Sequence, residues 1–134
     1  MSRVVIDTNI LGYLFRNSKE APAYRTLLTG QQGFVSIMSY AEMDYGVLKG
    51  GWGEKRIAAL EVFMGSYTEV PLTRRIARRF GEVKFESESN GRIIDTADAW
   101  IAATALELGL PLVTHNPKDF LGAVSLQIIT ETLV

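Results

Sequence analysis

Val4-Val5-Ile6 is a short, uninterrupted apolar run rich in β-branched side chains, and it ends on a carboxylate, Asp7. A run that is apolar at every position has no face to offer water. It reads as a strand buried on both sides, the pattern of a parallel sheet covered by helices. The apolar residues that follow, Ile10, Leu11, Leu14 and Phe15, fall at helical spacing instead. A buried strand that carries an acid to its tip and turns at once into a helix calls for an α/β fold. In such folds ligands bind beyond the carboxyl ends of the strands.

The same alternation continues along the chain. Pro22 opens a helix that runs to about Thr29. Gly33–Ser36 and Tyr67–Val70 read as strands. Between them lie helices over Ser39–Leu48 and Lys55–Met64, split by Gly50-Gly51, the second with Ile57, Leu60 and Met64 on one face. Thr73 caps a helix whose apolar face is Ile76, Phe80 and Val83. Glu86–Arg92, ESESNGR, is polar throughout and reads as a loop. Asp95–Glu107 is the clearest helix and Gly109 ends it, while Leu112–Val113 and Leu126–Ile129 read as the last strands. The chain has 134 residues, 47% of them hydrophobic, with no internal repeat and no linker. All of it, 1–134, therefore reads as one domain with its own core.

Composition removes several chemistries. There is no cysteine, so disulfides, thiolate zinc sites and cysteine nucleophiles are excluded, and a reducing cytoplasm is the expected location. No run is long and apolar enough to span a bilayer, so no membrane partner is expected. The formal net charge is -1, so a nucleic-acid partner would have to meet a local basic surface. Thr73–Phe80, TRRIARRF, supplies one: Arg74, Arg75, Arg78 and Arg79 form a stripe opposite Ile76 and Phe80. The stripe reads as a solvated face, as a dock for an acidic segment of a partner, or as a track for phosphates.

Each acid has an ordinary reading when taken alone. Asp7 suits an N-cap or Asx turn. Glu42 closes the S-x-x-E of Ser39-Tyr40-Ala41-Glu42, a capping box. Asp95 reads as an N-cap with its carboxylate turned back to the helix amides, and Asp98, one turn in, as the acid that faces a pocket. Asp119 follows Pro117 in a turn. Taken together, all of them fall just after a strand or at the start of a helix that follows one. A parallel sheet puts those places on one edge. Neighbouring carboxylates repel and raise one another's proton affinity, and a hard divalent cation such as Mg²⁺ relieves the conflict. The chemistry suggested is metal-dependent hydrolysis of a phosphodiester. His115 is the only histidine, so no pair supports a zinc site, and it reads as a loop residue beside the acids. Neither a G-x-S-x-G elbow nor a phosphate-binding P-loop motif is present.

VVIDTNIL, VSIMSYAEMDYGV and DAWIAATALELGLPLVTHNPKDF, in that order and spanning essentially the whole chain, resemble the marks of PIN-domain proteins. Among these they are most similar to the VapC-type toxins of bacterial and archaeal toxin–antitoxin pairs. The resemblance implies a Rossmann-like α/β/α sandwich with a parallel sheet of about five strands. It implies Mg²⁺- or Mn²⁺-dependent endoribonuclease activity on RNA, inhibition by a cognate antitoxin, and a homodimer. Asp7, Glu42 and Asp98 match the first three family acids, with the metal on Asp7 and Asp98. Asn116 is neutral, so Asp119 is the candidate fourth acid and Asn116 a polar helper. Thr8 and Asn9 would orient Asp7, and Thr114 would line the site. The apolar residues Leu48, Leu60 and Met64, with Trp52, are expected to supply the dimer contact. The alternative is a catalytically silent RNA-binding or regulatory module of the same fold, which loss of Asp7 or Asp98 would favour. A phosphatase would need a D-x-D-x-[TV] motif, and DTN lacks its second acid.

Overall fold

The computed structural model describes residues 2–131. Five strands, β1 (Ser2–Ile6), β2 (Gln31–Ser36), β3 (Thr68–Val70), β4 (Leu112–Val113) and β5 (Ile128–Ile129), form one sheet in the order β3-β2-β1-β4-β5. Every pairing is parallel, with Val5 beside Phe34 of β2 on one side and beside Leu112 of β4 on the other. The chain winds outward from β1 to β3, then crosses back to begin β4. The topological switch point therefore lies between β1 and β4, and Asp7 and Thr114 follow directly at their carboxyl ends.

Six helices, α1 (Thr8–Arg16), α2 (Ala21–Leu28), α3 (Ile37–Gly50), α4 (Glu54–Met64), α5 (Arg74–Ser89) and α6 (Thr96–Leu108), connect the strands. The period of two along β1 decides which helices each face receives. Val4, Ile6 and Val113 pack with Ile10, Leu11, Tyr24, Leu60 and Met64. Val5 and Leu112 point the other way and pack with Val83, Ile101, Ala102, Ala105 and Phe120. This is the expected α/β/α sandwich. In α6, Ala99, Ala102, Ala103 and Ala105 are fully buried. Small side chains let this helix lie close to the sheet and carry its first turn to the switch point.

Three readings of the sequence are corrected. ESESNGR is not a loop throughout, because α5 continues to Ser89. Val83 and Ser87, one turn apart, both face the core, and Glu86 accepts a hydrogen bond from Ser125 at 3.1 Å. Ser39-Tyr40-Ala41-Glu42 is not a capping box. The cap of α3 is Ser36, whose hydroxyl accepts from the Met38 amide at 3.1 Å, so Ser39 and Glu42 lie inside the helix on one face. Leu60 and Met64 are core residues, and Trp52 stacks on Phe15 with Arg56 over its ring. Of the four residues assigned to a dimer contact, Leu48 alone is exposed. Among the described residues no helix is long and apolar enough to cross a membrane.

The end of α5 rests on backbone contact. A Cβ at Gly122 would stand 2.7 Å from Ser87 Cα and from its Cβ, closer than packed atoms allow. Gly122→Ala is expected to destabilise the protein by about 1–3 kcal/mol and lower the melting temperature by several degrees. An unchanged melting temperature would contradict this packing.

Candidate active site

Asp7 ends β1 and caps α1 with an extended backbone, φ -71 and ψ 154. One carboxylate oxygen, Oδ1, accepts from the Thr8 amide at 2.8 Å, and the other, Oδ2, accepts from the Thr114 hydroxyl at 2.7 Å. Thr114 Oγ1 in turn accepts from the Asn116 amide at 3.1 Å, which ties the segment after β4 to the same carboxylate. Asp7 is 6% exposed. One carboxylate oxygen of Asp7 thus caps the helix and the other is held across the switch point.

The other expected residues fall around it, with differences. Thr8 orients Asp7 through its amide, but its hydroxyl donates to Glu42 Oε1 at 2.8 Å. A hydroxyl carries one hydrogen, so the 2.7 Å contact with Ser39 Oγ has Ser39 donating to Thr8. Ser39 is buried and steadies Glu42 through Thr8, a role masked in the sequence by the S-x-x-E pattern. Asn9 makes no hydrogen bond to Asp7 among the described residues; its Oδ1 is buried without a partner. Asn116 contributes its backbone amide and heads the short 3-10 helix Pro117–Phe120, which carries Asp119 on the exposed rim. Asp95 takes the N-cap position of α6, but its carboxylate makes no capping hydrogen bond, contrary to expectation.

The electrostatics show which acids converge. Burial pushes the Asp98 carboxyl up to about 7, and the charges of Asp7, Asp119, Asp95 and Glu42 add to the effect. Burial also raises Asp7, against the two hydrogen bonds that stabilise its ionised form, and Glu42 and Asp119 push in the same direction. Asp7, Glu42, Asp98 and Asp119 therefore share one field at one sheet edge. Among the described residues no group of three or more acids or histidines is placed to hold a metal ion. The donors are hard oxygens, and the unpartnered Asn9 Oδ1 is another of that kind.

The arginine stripe stands apart. Glu107 pairs with Arg75 at 3.9 Å and with Arg79 at 3.3 Å, and Arg79 also meets Glu82 at 3.5 Å. Arg74 and Arg78 are exposed and have no ion pair among the described residues. Glu107 lies nine residues beyond Asp98 on α6, a separation of about 13 Å along the helix axis. Half of the stripe is thus answered by acids, at a distance from the site.

A doubly covered parallel sheet with acids gathered at its switch point defines a class, and comparison with known proteins agrees. The PIN domain pattern matches residues 4–123, and the chain belongs to the PIN-domain family. Ribonuclease VapC1 of Haemophilus influenzae strain R2866 is 33% identical over 129 residues, covering 92% of this chain and 93% of its own. Ribonuclease VapC2 of Haemophilus influenzae is 31% identical over 127 residues, covering 95% and 96%. The crystal structure of VapBC2 from Rickettsia felis bound to a promoter DNA fragment matches with a TM-score of 0.83 at 26% identity, covering 96% of this chain and 98% of that one.

The raised carboxyls make stability fall with pH. Between about pH 4 and about pH 7 the folded chain holds a proton on Asp98 that the unfolded chain has lost, so each rise in pH favours unfolding until Asp98 is ionised in both states. Asp7 contributes with the same sign. In chelator, the melting temperature is expected to be lower at about pH 8 than at about pH 5. Asp98→Asn should flatten this dependence, and a flat wild-type profile would contradict the assignment.

Proposed function

We propose that this chain is a metal-dependent endoribonuclease that hydrolyses RNA phosphodiester bonds, and that it is the toxin of a type II toxin–antitoxin pair acting in the cytoplasm. The observation that carries the reading is the convergence of Asp7 and Asp98 at the switch point, both with raised proton affinity. Relatives named as VapC ribonucleases, at 31–33% identity over nearly the full chain, support it. The silent-module alternative is not favoured, because both acids that it would have lost are present.

In this reading Asp7 and Asp98 would hold Mg²⁺ or Mn²⁺, which would lower the pKa of a bound water and neutralise charge on a phosphate oxygen. The chain's own residues do the rest. The Thr8 amide and the Thr114 hydroxyl fix the Asp7 carboxylate, so it meets the ion already oriented. Thr8 and Ser39 hold Glu42 at the rim, where its free Oε2 can take a proton. Asp119 completes the negative edge from the loop after β4. Arg74 and Arg78 are the cations available for distal backbone phosphates.

Two partners complete the proposal. An antitoxin would inhibit by placing a guanidinium among the acids, where it satisfies the carboxylates in place of the ion. The complex reported for the Rickettsia felis relative supports such a partner. A second copy of the chain would cover Tyr45, Leu48 and Val62 on α3 and α4, which are 64%, 81% and 79% exposed. Light scattering of the isolated protein is expected to give the mass of a dimer, with Leu48→Glu shifted toward monomer. A monomer mass for the wild type at micromolar concentration would refute the dimer.

RNA cleavage by the pure protein is expected to require Mg²⁺ or Mn²⁺ and to stop with EDTA. Asp98→Asn should lose nearly all activity while staying folded. Asp95→Asn should lose little, since Asp95 makes no capping hydrogen bond and its charge weighs less on Asp98 than burial, Asp7 or Asp119 does. Full cleavage in excess chelator, or an active Asp98→Asn beside an inactive Asp95→Asn, would refute the metal assignment.

A further inference from the structure

Tyr24 is fully buried in α2, yet its hydroxyl is a meeting point for three groups. His115 Nδ1 lies 2.6 Å away, the Glu131 amide donates to the oxygen at 3.2 Å, and Thr130 Oγ1 stands at 3.4 Å. The His115 ring is set edge-on to both Tyr13 and Tyr24, with centroids 5.5 Å apart in each case. A half-buried histidine in a loop is thereby held by two tyrosines.

The short contact assigns its tautomer. The phenol has one hydrogen, and the Glu131 amide already occupies it as an acceptor. A separation of 2.6 Å belongs to an O–H donor, whereas N–H donors sit near 2.9–3.0 Å. Tyr24 is assigned as the donor to Nδ1, which puts the ring hydrogen of His115 on Nε2. No described residue accepts from that Nε2–H. His115 also follows Thr114, whose hydroxyl holds Asp7, and precedes Asn116, whose amide is tied to Thr114. A donor without a partner is thus mounted on the segment that anchors the buried acid.

We infer that His115 is a substrate-binding residue whose Nε2–H, set by the buried Tyr24 hydroxyl, donates to a phosphate oxygen of RNA beside the bond that is cut. The inference rests on the ribonuclease reading for the identity of the substrate. A fixed N–H donor suits this place. A flexible cation beside Asp7 and Asp98 would be drawn onto the carboxylates, whereas a ring held by Tyr24 and Tyr13 offers a hydrogen bond to an anion without that freedom. The clamp also removes the rotamer freedom that such a contact would otherwise have to overcome.

The test exploits the fact that the chain has one histidine, so its imidazole signals are unambiguous. Long-range ¹⁵N–¹H spectra are expected to show the Nε2–H tautomer in the wild type and a mixture in Tyr24→Phe. Single-stranded RNA oligonucleotides of about ten nucleotides, added in EDTA so that no cleavage occurs, should shift the Nε2 signal for oligo-A and oligo-U alike. In metal-dependent cleavage, His115→Phe keeps the ring but loses the donor. It should raise KM about tenfold with kcat changed less than about twofold, and His115→Gln, which restores an N–H, should recover most of the loss. A wild-type Nδ1–H tautomer, or an Nε2 signal unmoved by RNA, overturns the inference. A shift with one oligonucleotide alone would place the contact on a base and overturn the phosphate assignment. If the wild type cleaves and His115→Phe keeps its KM, the inference fails and the ribonuclease reading stands. If the wild type never cleaves but RNA still shifts Nε2, the contact stands and the ribonuclease reading fails.

Discussion

The interaction on which the rest depends is the pinning of one buried carboxylate. Asp7 is taken almost wholly out of water at the end of β1, and an ionised group in that position needs donors. It finds two, the Thr8 amide from its own helix and the Thr114 hydroxyl from the strand across the switch point. These hydrogen bonds do not fully offset burial, since Asp7 still holds its proton more tightly than a carboxyl in water. In the proposed function that surplus is what a bound cation would relieve. A site that satisfied Asp7 completely would have nothing to gain by binding a cation.

The topology then multiplies the effect. Parallel pairing in the order β3-β2-β1-β4-β5 sends the carboxyl ends of β1, β2 and β4 to one edge, with Glu42 one turn and more into the helix after β2, and Asp119 on the turn after β4. The small residues of α6 bring Asp98 to the same edge from the opposite layer. Two cores on two faces of one sheet hold the acids against their mutual repulsion. That repulsion lowers stability, in the way sites that bind charged ligands commonly do.

Much of this was legible in the sequence. The apolar run Val4–Ile6 announced a doubly buried strand, and Asp7 at its tip announced the edge. The alternation of strands and helices gave the layers. The parts that were not legible depend on contacts between distant residues. ESESNGR has loop composition, but Ser87 is buried against Gly122 and Glu86 is held by Ser125, and α5 runs on to Ser89. The S-x-x-E pattern pointed to a cap at Ser39, but the strand before it ends three residues earlier, so Ser36 takes the cap and Ser39 turns to Thr8. Leu60 and Met64 read as a free apolar face because the sequence does not say which side of α4 meets the sheet. Tyr24 and His115 are 91 positions apart, and nothing local in either predicts a 2.6 Å contact.

The central claim is that the edge acids hold a divalent cation through Asp7 and Asp98. Mn²⁺ binding followed by electron paramagnetic resonance tests it without reference to any substrate. The account predicts that the wild type and Glu42→Gln bind the ion, and that Asp7→Asn and Asp98→Asn, shown to be folded by their melting curves, do not. Binding by Asp98→Asn as tight as by the wild type would contradict it.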